Sequence, residues 1–275
     1  MSEILPALPE DWETTRATLH AYAQAIGAIP RAHAAAHPKW WHVSLTVQPD
    51  GLVTEDMALP DGGTFNVRLD LKSHAVVVEA GDGRSTALSM TEGATGTQMG
   101  DRVIAAVAEL GLEGDYNREK FEDEDPREYD PAAGEAFLQA VNTVNEVFEQ
   151  HRASLSGDVG PVQLWPHGFD LATEWFGTRV EKYEEEGQVT EYPSQLNLGF
   201  FPGSERPYFY SNPWPFEGDK LTSEPLPHGA QWHTEGWEGS ILYYDQLQGD
   251  PDAATKLAEY ARAVFDLAAP TLTAE

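Results

Sequence analysis

A chain of 275 residues without a cysteine excludes a disulfide framework, a cysteine nucleophile and thiolate metal sites, and it is long enough to bury a core unaided. Its 46 acidic residues against 17 basic ones leave a net charge of −29, which repels phosphate backbones and anionic lipid, so nucleic-acid binding is not expected. No run approaches the roughly 18 apolar residues of a membrane span, and Met1-Ser2-Glu3-Ile4-Leu5-Pro6 lacks the basic and apolar regions of a signal peptide; the expected compartment is the cytoplasm.

A first helix is predicted over about residues 11–29, because Trp12, Leu19, Tyr22, Ile26 and Ile29 recur at helical spacing. The period then changes to two. Trp41, Val43, Leu45 and Val47 alternate with polar neighbours, as do Phe65, Val67, Leu69 and Leu71, which predicts strands. Residues 75–79 and 85–90 continue an antiparallel meander, with turns at Pro49-Asp50-Gly51 and Gly81-Asp82-Gly83. A second helix is expected over about residues 97–110 on the stripe Met99, Val103, Val107 and Leu110. A third begins at Asp130-Pro131, an N-cap followed by proline at the first helical position. Strands are then expected at residues 161–165, 169–176, 194–201, 208–211, 231–234 and 241–244, with a Pro-rich loop over 213–227. A fourth helix is expected from Asp250-Pro251.

The grammar of helix, meander and helix occurs twice. It predicts an α+β fold of two similar halves, each an antiparallel sheet flanked by helices, arising by internal duplication. Residues 1–112 would form the first repeat, 113–130 an acidic linker and 131–275 an aromatic-rich second repeat.

No phosphate-binding glycine loop, zinc-protease helix, nucleophile elbow or calcium loop is present. His42 and His167 each sit beside tryptophan, Trp41 and Trp165, near the start of a half's sheet. They are either proton-transfer or ligand groups, or strand histidines satisfied by backbone. Asp70 and Asp170 interrupt apolar strands and need a partner or a wet cleft. Aromatic residues crowd positions 165–244, interleaved with Asn197, Asn212, Ser211 and Gln231, which suits either an amphipathic pocket or an aromatic core.

Trp40-Trp41-His42, residues 65–74 with Asp70, Phe169-Asp170-Leu171, Gly199-Phe200-Phe201-Pro202-Gly203 and Tyr208-Phe209-Tyr210 together resemble a bacterial family of unknown function, over nearly the whole chain. The resemblance implies no activity. It does imply that many members carry histidine at the position of Gln163 and a His-Glu pair near Pro193-Ser194. Here those positions hold Gln, Pro and Ser, so any such chemistry would be lost or moved to His167.

The leading expectation is a small-molecule binder with an aromatic cleft between the repeats, lined by Trp41, His42, Trp165, His167, Asp170, Asn197 and Phe201. One alternative is a hydrolytic or metal-assisted enzyme using His42, His167 and Asp170. The other is an interaction module acting through the aromatic, Pro-rich segment 207–237. No cofactor, catalytic residue or metal ligand is assigned.

Overall fold

The computed structural model describes residues 4–185, 188–203 and 206–274; Met1, Ser2 and Glu3, on which the signal-peptide expectation partly rests, lie outside the described residues. In chain order the elements are α1 (Trp12–His33), β1 (Thr46–Gln48), β2 (Gly51–Val53), β3 (Met57–Ala58), β4 (Thr64–Asp70), β5 (Ala75–Ala80), β6 (Ser85–Ser89), α2 (Gly96–Glu109) and α3 (Pro131–Ser154). Then come β7 (Asp158–Val159), β8 (Gln163–Trp165), β9 (Asp170–Glu185), β10 (Gln188–Phe201), β11 (Tyr208–Trp214), α4 (Gly218–Leu221), β12 (Gln231–His233), β13 (Gly239–Tyr243) and α5 (Ala253–Ala268). The fold is α+β, with two antiparallel sheets and helices beside each, in two similar halves.

The chain divides into two compact units. One comprises residues 8–142 and 163–170; the other comprises residues 1–7, 143–162 and 171–275. The boundary between residues 142 and 143 falls inside α3, and the segment 163–170, expected in the second repeat, belongs with the first unit.

In the first unit the sheet runs β1-β2-β4-β5-β6, with β3 on β4. The alternation read from the sequence sets its faces: Phe65, Val67 and Leu69 of β4 are buried while Asn66 and Arg68 are half-buried. Helices α1 and α2 pack on each other, α1 also against β4 and α2 against β5. The start of α2 is fixed by a capping box, in which the Gln98 N–H donates to Thr95 Oγ1 (3.1 Å) and the Thr95 N–H to Gln98 Oε1 (3.1 Å). The acidic stretch 113–130 is anchored along these helices. Phe121, 2% exposed, fills the space left by Gly100, where a Cβ would come within 2.3 Å of its ring. Burial of a phenylalanine of this kind stabilises by about 1.5–3 kcal/mol. The Glu128 carbonyl accepts from Thr18 Oγ1 (2.6 Å), and the Asp130 N–H donates to Thr15 Oγ1 (3.0 Å).

In the second unit the sheet runs β12-β13-β11-β10-β9-β7. Both sheets therefore follow chain order, except that β13 takes the place beside β11 and puts β12 at the edge. The core stacks Phe200 on Phe209 (5.1 Å) and on Tyr244 (5.5 Å). Leu257, Tyr260 and Val264 of α5 are buried, and the Tyr260 hydroxyl is hydrogen-bonded to Ser240 Oγ (2.8 Å).

Local expectations are corrected at three places. Residues 41–43 form a 3₁₀ turn, not the start of a strand. Trp40 there adopts the left-handed region at φ 60°, and Ser44 Oγ donates to the Trp41 carbonyl (2.6 Å), so the chain is closed locally before β1. Helix α5 starts at Ala253, after a turn in which the Asp250 carboxylate accepts from the Asp252 N–H (2.8 Å). Strands β9 and β10 extend well beyond the apolar runs at 169–176 and 194–201 that predicted them, because each continues on the other through Val180↔Pro193 and Glu184↔Val189.

Candidate functional site

Helix α1 presents Gln24, Gly27, Ala28 and Arg31 at successive spacings of three, one and three, which places them on one face. This face forms one wall of a recess of about 50 Å3, completed by Val43, Lys120, Pro166 and His167, all within the first unit. Gly27 is what lets the wall close. A Cβ there would stand 3.1 Å from Pro166 Cβ and 3.2 Å from Pro166 Cγ, so even alanine would press the Pro166 ring back by a few tenths of an ångström.

Second contacts hold the 166–167 segment. The Leu45 N–H donates to the Leu164 carbonyl (2.9 Å) and the Leu164 N–H returns a bond to Leu45 (2.8 Å). The Gln163 side-chain amide lies 2.5 Å from Ser44 Oγ; the single hydroxyl proton goes to the Trp41 carbonyl, so the amide NH2 is the donor in this pair. The His167 carbonyl lies 3.2 Å from His20 Nε2. If Nε2 carries the proton, His20 Nδ1 accepts from Arg16 Nη1 at 3.4 Å. Burial first, and then the Arg16 charge, depress the His20 pKa, in keeping with that neutral tautomer.

The electrostatics of the recess run against those of the whole chain. Thirteen lysines and arginines lie within ion-pair distance of a carboxylate, whereas Arg31, Lys72 and Lys120 have none among the described residues. Lys39 stands 5.2 Å from the Trp41 ring centre. Arg31 and Lys120, without a carboxylate partner among the described residues, line the same recess, together with His167. The Arg31 guanidinium is positioned by the Trp40 ring, 5.2 Å away, a cation–π contact.

The remaining expected site residues are distributed as follows. Trp41 stacks on His37 (4.5 Å), and its indole nitrogen is buried with no hydrogen-bond partner among the described residues. His42 is buried, accepts the His37 N–H at Nδ1 (3.2 Å) and stacks on Trp40 (5.6 Å). Burial is the main cause of its lowered pKa, with Glu55 opposing and Arg31 and His37 adding to the effect. Trp165 meets His167 edge-on at 5.7 Å. Asp170 begins β9, and Gly168 gives its carboxylate room. Of these, His167 lines the recess, and His42 reaches its edge through Trp40 and Arg31. Asn197 and Phe201 lie on β10, in the other unit; Asn197 Oδ1 is buried without a hydrogen-bond partner among the described residues, and Phe201 packs on Tyr208 (5.4 Å).

Two other hollows are less suited to a ligand. One beside His151, Thr173 and Ser211 has about 10 Å3, room for a single water. A shallow one of about 570 Å3 lies over Gln48, Asp50, Asn66, Arg68 and Lys72, and its arginine is already held by Asp50 and by Glu79 (3.2 Å). Among the described residues no group of three or more His, Asp or Glu side chains is placed to hold a metal ion, and no helix is long and apolar enough to cross a membrane. The aromatics of segment 207–237 pack largely on one another, as in Phe216–Trp232 (6.1 Å) and His233–Trp237 (4.5 Å).

Arg31, Lys120, Gln24 and Gly27 are absent from the residues singled out above. A signal for the first was present: positions 14–49 contain no Asp or Glu, yet carry Arg16, Arg31, Lys39 and four histidines. Charge counted by segment, and not only for the whole chain, exposes it. Lys120 had no such signal, since Glu119 and Glu122 flank it in sequence.

These features define an α+β protein with a basic recess in an acidic chain. The chain belongs to DUF5996, a family of unknown function, whose model matches residues 5–274. No curated protein and no solved structure matches it.

Proposed function

We propose that the protein binds a small anionic molecule, through a carboxylate or phosphate group, in the recess of Gln24, Arg31, Lys120 and His167. One observation carries the reading: in a chain with 46 carboxylate side chains, two cations left without a carboxylate partner line one recess. Unpaired neighbouring cations repel each other, and an anion between them removes that repulsion while gaining charge-assisted hydrogen bonds. Arginine offers a planar fork and lysine a point charge, the two usual modes of holding an oxyanion. His42 belongs to the site indirectly, by stacking on Trp40 and through it steadying Arg31. The volume suits the head group of a ligand whose body lies outside.

Thermal unfolding in a buffer of weakly binding anions tests this, with inorganic phosphate, citrate and benzoate as probes. At a concentration about a hundred times Kd, binding adds about 2.7 kcal/mol of stability and raises Tm by several degrees. Arg31→Gln with Lys120→Gln should abolish the rise, whereas Lys72→Gln, at the other hollow, should leave it. An equal rise in all three proteins, or none in the wild type, defeats the reading.

A further inference from the structure

The second unit carries a feature that the recess does not use. Strands β9 and β10 run for 16 and 14 residues, but their neighbours stop early. Strand β11 pairs with β10 only over Gln195–Phe201, and β7 meets β9 only at Trp175 and Phe176. Beyond those points, among the described residues, the two strands pair with each other alone, through Val180↔Pro193, Lys182↔Glu191 and Glu184↔Val189. A two-stranded ribbon is marginal in water, and its free edges are templates for another strand.

Side-chain exposure points to the same stretch. Among the described residues the large hydrophobics that stand exposed are Ile4, Trp40, Val180, Val189 and Tyr192, so the arm holds three of them. Directly opposed residues share a face, which puts Val180 and Val189 together, on either side of the Lys182–Glu191 ion pair (2.7 Å). Pro193 has no N–H to offer on the β10 edge. The β9 edge from Val180 to Glu184 has no proline.

Charge decides between occupants. Between positions 179 and 192 the sequence has Glu181, Glu184, Glu185, Glu186 and Glu191 against Arg179 and Lys182. Arg179 is bound to Glu181 (2.7 Å) and to Glu217, and Lys182 to Glu191. The excess is negative, so a second copy of the arm would be repelled and a cationic segment attracted. We infer that the β9–β10 arm is a docking edge for an extended segment of a partner protein in which Lys or Arg alternates with apolar residues. Main-chain pairing along Val180 to Glu184 would give affinity, and the valines and glutamates selectivity.

The test uses the full chain and a fluorescent peptide alternating lysine and valine over about ten residues, a long strand. Anisotropy should show saturable binding that weakens with salt. Val180→Thr with Val189→Thr should weaken it at least about fivefold, and Glu184→Lys by a similar factor, whereas Glu109→Lys at the end of α2 should not change it. Three results overturn the inference: no binding; equal binding by the arm variants and wild type, which would assign the effect to diffuse acidic charge; or a wild-type dimer in sedimentation that the double threonine variant dissolves, which would make a second copy the occupant.

Discussion

The hairpins β4–β5 and β9–β10 obey the same alternation but not the same neighbourhood. The first has a strand on each side, β2 against β4 and β6 against β5, and its polar side is clamped by Arg68 between Asp50 and Glu79. The second overruns its sheet, so the main chain of its outer part pairs only between the two strands among the described residues, with side-chain ties back from Arg179 to Glu217 and from Tyr192 to Trp214. Alternation decides that a segment is a strand. The neighbours decide how much its side chains contribute, because a pair flanked by strands buries apolar area while an exposed ribbon gains only a few tenths of a kcal/mol per contact. On this comparison the β2–β4–β5 region is stiff and intolerant, and the arm is tolerant and the first part of its sheet to open.

The largest expected effect is at Gly51. A Cβ there would fall 1.9 Å from the Leu69 carbonyl oxygen and 3.1 Å from Asp70 Cα, both backbone of β4, which cannot move without unseating β5. Gly51→Ala should cost more than about 3 kcal/mol in urea unfolding. Gly199→Ala in the other sheet first meets the outer end of the Tyr210 ring, 2.2 Å away, and should cost about 1 kcal/mol, since a ring can turn where a strand cannot. Equal costs would break the distinction between the two sheets.

Much of this architecture is legible from the residues. Helices α1, α2 and α3 and the strands β4, β5 and β6 fall close to where the period and the punctuation of Pro, Gly and Asp put them. What is not legible depends on long-range pairing. The 178–193 arm is charged and shows no apolar run, yet is strand because its two sides meet in register. Residues 41–43 do alternate, yet form a turn because Trp40 takes a left-handed conformation that alternation does not encode. The recess has the same character. His167 was a candidate from its sequence context, whereas Lys120 enters through the anchoring of Phe121 beneath α1 and α2, a tertiary fact with no local signature.

A smaller effect concerns pH and the well-packed part of the second unit. Burial, reinforced by Arg262 and opposed by Asp266, lowers the His151 pKa from 6.5 to about 4. Between those values the unfolded chain takes up a proton that the folded chain refuses, so stability is retained above the upper value and lost as pH falls towards the lower one. By pH 5 the loss should reach about 2 kcal/mol at most, at about 1.4 kcal/mol per unit. His151→Leu keeps an apolar contact with Phe265, whose ring centre lies 6.0 Å from that of His151, and should flatten urea-derived stability between pH 6.5 and pH 5. An unchanged slope would show that His151 is hydrated and its surroundings are looser than the stack implies.

The smallest effect is the most direct test of the comparison. Val78 on β5 is 2% exposed and Val189 on β10 is 60% exposed, so one truncation can be made in each hairpin with the same chemistry. Val78→Ala removes two buried carbon atoms and leaves a cavity, a cost of about 1.5–2 kcal/mol. Val189→Ala removes atoms that were largely in water, and its global stability should stay within about 0.5 kcal/mol of wild type. A global measurement is blind to a region that opens independently, so amide exchange is the matching readout. Wild-type amides in 180–184 and 189–192 should exchange well before those of β4 and β5, and Val189→Ala should accelerate the arm further without changing β4 or β5. Should the arm amides prove as protected as β5, something covers or braces the ribbon in solution even without a partner, and the arm could not be an open edge. Should they exchange fast in the wild type and become protected when the lysine–valine peptide is added, the protection must arise along the edge that the peptide occupies, because the inner edges of both strands already pair with each other.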